Sequence, residues 1–132
     1  MSAHATPEQE AESFADCEAI AATLQHYVDG ALRGDGSCMR RAFLEDATIR
    51  GSYGGKPVNW TLQAFCDVIE QGGPAPDLKA CVVEMAFSGS AGTARIEAEN
   101  WRGSRYTDFF ALIRRDNTWR IASKVFFAHS RA

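Results

Sequence analysis

The sequence has no CxxC pair, no GxGxxG, P-loop or HExxH string, and no apolar run near the roughly 18 residues of a membrane span. Zinc ribbons, phosphate cradles, zinc proteases and membrane-spanning helices therefore have no support. Positive charge is also scarce, with 14 Lys and Arg against 17 Asp and Glu and a net charge of -3. A phosphate backbone asks for clustered cations, so neither nucleic acid nor a membrane is an expected partner. Met1 to Ala15 contains no lysine or arginine and no apolar core segment, which fits neither a secretory nor a transit leader; the expected place is the cytoplasm. Cys17, Cys38, Cys66 and Cys81 are spread out, three of them on apolar positions, and read as free thiols that behave as small hydrophobes. No metal and no cofactor is expected.

What is present is a chain of 132 residues, 45% hydrophobic, which suits one domain with a sizeable core. We expect a single domain over 16–132, with 1–15 an N-terminal extension that is either helical or disordered. From Pro7 to Arg33, residues Cys17, Ile20, Ala21, Leu24, Tyr27, Val28 and Ala31 recur at helical steps. Thr6, Pro7 and Gln9 resemble a capping box with proline at the first position, the alternative being a shorter helix capped by Asp16, and Gly34 supplies a stop. A second helix is predicted over 37–45. Strands are predicted over 47–53 and 56–60 around Gly54-Gly55, a dipeptide that tolerates the positive φ of a tight hairpin. Thr61 is placed to cap a third helix carrying Leu62, Phe65, Cys66 and Ile69, which Gly72-Gly73-Pro74 ends.

Long alternating segments follow over 78–88, 93–102, 105–115 and 118–129, separated by residues that accept turns. Helices first and most strands later give an α+β class, with helices on one face of the sheet.

Three sets of strings carry a family resemblance. They are Leu24-Gln25-His26-Tyr27-Val28 followed by Arg33-Gly34-Asp35; Phe43-Leu44-Glu45-Asp46-Ala47-Thr48-Ile49; and Tyr106-Thr107-Asp108-Phe109-Phe110-Ala111-Leu112 leading to Trp119-Arg120-Ile121-Ala122-Ser123-Lys124-Val125-Phe126. Together they resemble the nuclear transport factor two-like superfamily over nearly the whole chain after Asp16, and most of all its lumazine-binding branch. The resemblance implies a cystatin-like cone, in which three N-terminal helices pack on a strongly curved mixed or antiparallel sheet of about six strands. It also implies an internal small-molecule pocket. The same cone serves ketosteroid isomerases, scytalone dehydratase, polyketide cyclases, limonene epoxide hydrolase and non-enzymatic association modules, so the pocket residues must decide the function.

The first helix is similar to that of ketosteroid isomerases, and Tyr27 falls on the tyrosine that donates to the substrate oxyanion there. The other reading of Tyr27 is a core tyrosine with a buried partner. The isomerase base would fall on Gly51, and the second acid, by ungapped matching, on Ala111; neither can move a proton, which argues against steroid isomerisation. Asp108 is the nearest carboxylate, on the opposite strand face from Ala111. It is either a general base or the partner of a cation such as Lys124. Lys124, alone among apolar residues, anchors an anionic ligand group or forms an ion pair with Asp108 or Glu99. Asn100 is placed on the inward face of its strand as a neutral pocket donor, with Trp101 outward. Tyr53, Trp60, Phe65 and Phe126 are further lining candidates, which could stack a flat ring or simply fill the core. His26 and His129 carry no reading beyond surface residues.

The sequence thus favours a small-molecule binding domain for an apolar or aromatic ligand, with Lys124 able to anchor an anionic group on it. The alternatives are a cofactor-independent lyase, isomerase or cyclase with Tyr27 and Asp108 as its catalytic groups, and a dimeric association module. A homodimer through the sheet face is expected alongside either, with Phe109 or Phe110, Phe127, Trp101 and Trp119 as the seam.

Overall fold

The computed structural model describes residues 6–129, so expectations placed on 1–5 and 130–132 lie outside the described residues. Helix α1 (Pro7–Arg33) begins where the sequence predicts, because Thr6 closes a capping box: the Gln9 amide donates to Thr6 Oγ1 at 3.1 Å, and the Thr6 amide donates to Gln9 Oε1 at 2.8 Å. Residues 7–15 are therefore helical, although exposed, and Phe14 stands in solvent. Further along, Ile20, Leu24, Tyr27 and Ala31 turn one face inward at steps of three and four. Gly34 ends the helix at φ 64°, where a Cβ would be strained.

Helix α2 (Gly36–Arg40), capped by Asp35, is shorter than the predicted 37–45, and strand β1 (Phe43–Tyr53) starts four residues earlier than the predicted 47. Tertiary pairing overrides the local pattern here. Phe43 pairs with Ile121 and the Ala42 carbonyl accepts from the Ile121 amide at 2.8 Å, which draws 43–45 out of a helix and into the sheet.

Gly54 and Gly55, both at positive φ, turn β1 into β2 (Lys56–Thr61). Thr61 ends β2 and caps helix α3 (Leu62–Gly72), accepting from the Ala64 amide at 3.1 Å. Four strands follow: β3 (Lys79–Ser88), β4 (Ala91–Trp101), β5 (Ser104–Arg115) and β6 (Thr118–Ala128). The sheet order is β2-β1-β6-β5-β4-β3, with β1 and β6 parallel and every other pair antiparallel, so the sheet is mixed. Among the described residues no helix is long and apolar enough to cross a membrane.

Alternation sets which side chains face the helices, and two irregularities reset it. In β5, Asp108, Phe110 and Leu112 point in, while Phe109 and Ala111 point out. In β6, Trp119 and Ile121 point in, and strict alternation would turn Lys124 outward. The pairing instead shifts so that Ile121 faces Leu112 and Ser123 faces Ala111, leaving Ala122 as an extra residue and turning Lys124 and Phe126 inward. In β4 the alternation holds through Ala98, then breaks at Asn100 (φ 57°), which sends Asn100 to solvent and Trp101 inward.

Helix α1 is held to the sheet at Trp119. The indole is buried, its Nε1 donates to Asp16 at 3.0 Å, and its carbonyl accepts from Thr23 Oγ1 at 2.8 Å. Arg114 donates to both Asp16 oxygens at 3.0 Å, and these bonds, with the indole's first, hold the Asp16 carboxyl below its ordinary value.

Candidate functional site

A cavity of about 290 Å³ opens between α3, the end of α1 and the inner face of the sheet. Its walls are largely aromatic. Trp60 lies nearly parallel to Phe65 (centroids 6.0 Å apart, 26°) and to Phe126 (5.9 Å, 16°), so a flat ring entering here meets flat faces. Tyr53 stands half exposed at the rim. Arg102 and Ser104 add polar groups, and Arg102 donates to the Gly73 carbonyl at 3.4 Å, joining the β4–β5 turn to the end of α3.

Lys124 is the cation inside. It is 2% exposed, yet the residue borders the cavity, and its Nζ lies 4.5 Å from the centre of Phe65, 4.7 Å from Phe126, 4.9 Å from Tyr27 and 5.4 Å from Trp101. Four rings thus face one ammonium group, an arrangement that suits a cation with few oxygen partners. Its nearest carboxylate oxygen is Asp108 Oδ1, at 4.0 Å, an ion-pair distance too long for a hydrogen bond.

Asp108 is fully buried. Its Oδ2 accepts from the Tyr27 hydroxyl at 2.9 Å, while Oδ1 has no hydrogen-bond partner. Burial pushes the Asp108 carboxyl up from its ordinary value, opposed by the Lys124 charge and the Tyr27 bond. Burial pulls the Lys124 ammonium down, opposed by Asp108. The Tyr27 phenol is pushed well up, first by burial and then by the Asp108 charge, so it remains a donor. The proton affinities of Asp108 and Lys124 are thereby drawn toward each other, and moving a proton between them costs less than in water.

Of the sequence candidates, Tyr53, Trp60, Phe65, Lys124 and Phe126 border the cavity. Tyr27 and Asp108 sit together behind that wall and reach it by way of Lys124. Asn100 does not belong: the positive φ that turns it outward places it on a separate, open concavity with Pro74 and Lys79. Trp101 and Tyr106 border the cavity instead. Sequence reasoning missed Trp101 because alternation was carried past Ala98, where the positive φ of Asn100 breaks it.

The two positions matched to isomerase acids differ in kind. Ala111 lies exposed on the outer face, so the ungapped match falls on the wrong side of the strand, and Asp108 is the inward carboxylate of β5. Gly51 is a steric matter, since a Cβ there would lie 2.4 Å from the Phe126 carbonyl oxygen and 2.6 Å from its ring. Phe126 occupies the space that a carboxylate on β1 would need.

A helical layer laid over a six-stranded mixed sheet, with a cavity between them, defines a cystatin-like cone of the nuclear transport factor two-like kind. The family model described as "Putative lumazine-binding" matches residues 15–127, and the chain belongs to that family. An NTF2-like protein of Shewanella baltica is 32% identical, covering 96% of this chain and 99% of that one at a TM-score of 0.83. A second, from Methylobacillus flagellatus, is 31% identical over 98% of this chain and 99% of that one, with a TM-score of 0.84. The aldolase FrzH of a Cladobotryum species is 26% identical over 115 residues, which span 86% of this chain and 92% of that one.

Proposed function

We propose that this chain is a cofactor-independent enzyme of the lyase, isomerase or cyclase kind, acting on a flat, largely apolar carbonyl compound held among Trp60, Phe65 and Phe126. The observation that carries the reading is the unbonded Oδ1 of a fully buried Asp108, 4.0 Å from a lysine that borders the cavity. A purely structural pair would be expected to close on its hydrogen bonds, because an unsatisfied buried oxygen costs roughly 1–3 kcal/mol. Left open, the pair can take a proton from a bound ligand and return it. Tyr27 is a positioning residue, fixing the other carboxylate oxygen.

Two likenesses support this reading. An aldolase makes and breaks carbon–carbon bonds next to a carbonyl, which needs proton transfer of this kind, and lumazine is a flat, carbonyl-bearing ring. Four free cysteines and no disulfide among the described residues fit a reducing compartment such as the cytoplasm.

Acetophenone is a simple probe, being flat and apolar with exchangeable protons beside its carbonyl. In deuterated buffer the protein is expected to speed the exchange of those protons, and Asp108→Asn to reduce the gain by about 10²-fold or more, followed by proton NMR. Acetophenone that quenches tryptophan fluorescence but exchanges no faster than in buffer would leave a binding domain without chemistry.

The outer sheet face supports a homodimer. Phe109, Val125 and Phe127, each about half exposed (51%, 52% and 51%), are contiguous across β5 and β6, since Phe109 pairs with Val125 and Thr107 with Phe127. Trp101, Phe110 and Trp119, expected in this seam, face inward instead. Arg95 and Glu97 flank the patch with both charge signs, so a two-fold contact can oppose them. Wild-type protein should sediment as a dimer at micromolar concentration and Phe127→Glu as a monomer. A monomeric wild type would remove this surface from consideration.

A further inference from the structure

We propose that Lys124 is a covalent site: its amine condenses with the carbonyl carbon of a bound aldehyde or ketone to form a protonated imine within the aromatic box. This deepens the reading above and rests on it, since it presumes that the cavity admits a carbonyl compound.

The geometry has three parts. First, Lys124 is the lysine among the residues that line the cavity, together with the stacked rings of Trp60, Phe65 and Phe126, so a flat carbonyl compound lying on those rings is held beside its side chain. Second, Nζ lies within 5.4 Å of four ring centres, and its nearest carboxylate oxygen is 4.0 Å away. An ammonium that offers its hydrogens mainly to ring faces loses little on exchanging N–H for N–C bonds, and the iminium keeps the single positive charge that the rings attract. Third, Asp108 is already placed as counter-ion, and its unbonded Oδ1 faces that charge.

The step balances without any oxidant or reductant. A proton leaves the ammonium for Asp108 Oδ1, and the freed nitrogen lone pair forms the C–N bond as the carbonyl π pair moves to oxygen. That oxygen takes one proton from Asp108 and one from nitrogen and departs as water. The sum is ammonium plus carbonyl giving iminium plus water, with the charge conserved. Hydrolysis reverses it. Burial, which lowers the proton affinity of the amine, raises the fraction available for attack at neutral pH.

The chain has two other lysines, Lys56 and Lys79, both exposed, and these serve as internal controls. Benzaldehyde with sodium cyanoborohydride is the test, on unaltered protein at pH 7, because reduction fixes an imine as a benzyl group that peptide mass spectrometry locates. Benzaldehyde has no protons beside its carbonyl, so trapping is read apart from proton exchange. Benzylation of Lys124 is expected to exceed that of Lys56 and Lys79 by at least about tenfold, with acetophenone competing.

Tryptophan quenching by benzaldehyde, recorded on the same samples, separates the two readings. Saturable quenching without preferential labelling of Lys124 overturns the imine and leaves the cavity as a site for carbonyl compounds. Neither quenching nor labelling overturns both. Equal labelling of all three lysines also overturns the imine, since it reports only exposed amines.

Discussion

Lys124→Met is expected to cost about 3–5 kcal/mol of stability at neutral pH, because it leaves the Asp108 carboxylate fully buried without a cation. The cost should depend on pH with a definite sign. Asp108 already has its proton affinity raised by burial, and the loss of Lys124, which opposes that rise, lifts it further. A carboxyl whose folded value lies above the unfolded one binds more protons in the folded state. Its stability contribution is therefore complete below the unfolded value near 3.9 and is lost as pH rises through the folded value. The variant should be close to wild type near pH 4 and fall behind as pH rises toward 7. Adding Asp108→Asn should restore part of the loss, since the double variant buries no charge at this place. Urea midpoints at constant slope give the comparison. A penalty of the same size at pH 4 and pH 8 would mean that packing of the lysine stem, not charge, sets the cost.

Trp119→Ala should be as damaging, at about 3–5 kcal/mol, because it empties the largest fully buried side chain and leaves a void beside Phe87. It also removes the indole hydrogen bond to Asp16. In a domain of this size such a loss lowers the thermal midpoint by roughly 10–20 °C. Trp119→Phe retains most of the ring volume and should cost clearly less, while Asp16 keeps Arg114. A calorimetric shift of only a degree or two in the alanine variant would show that α1 is held to the sheet by other contacts.

Much of this architecture was legible from short-range chemistry. Thr6 with Gln9, Gly34, Thr61 and Gly54-Gly55 each solve a local backbone problem, and the structure uses each as the sequence implies. The start of β1 was not legible, because Phe43 is claimed by Ile121, almost eighty positions away. Nor were the phase changes at Asn100 and Ala122, since a one-residue bulge leaves no trace in an apolar pattern but exchanges the two faces of everything beyond it. Those two bulges turn Trp101 and Lys124 inward and so make the site. The closeness of Tyr27 and Asp108 depends on how α1 lies across β5, which neither segment encodes alone.

The sheet order places the last described strand between β1 and β5, so β6 joins the N-terminal hairpin to the C-terminal meander. During synthesis the two parts of the sheet have no strand in common until β6 emerges, which carries Trp119, Lys124 and Phe126. A chain still lacking β6 holds Asp108 without its counter-ion and leaves two sheet edges unpaired, a state that favours chaperones and wrong partners over compact structure. The residues that give the cavity its charge are also those that complete the domain, so folding and the assembly of the site are expected to finish in one late step.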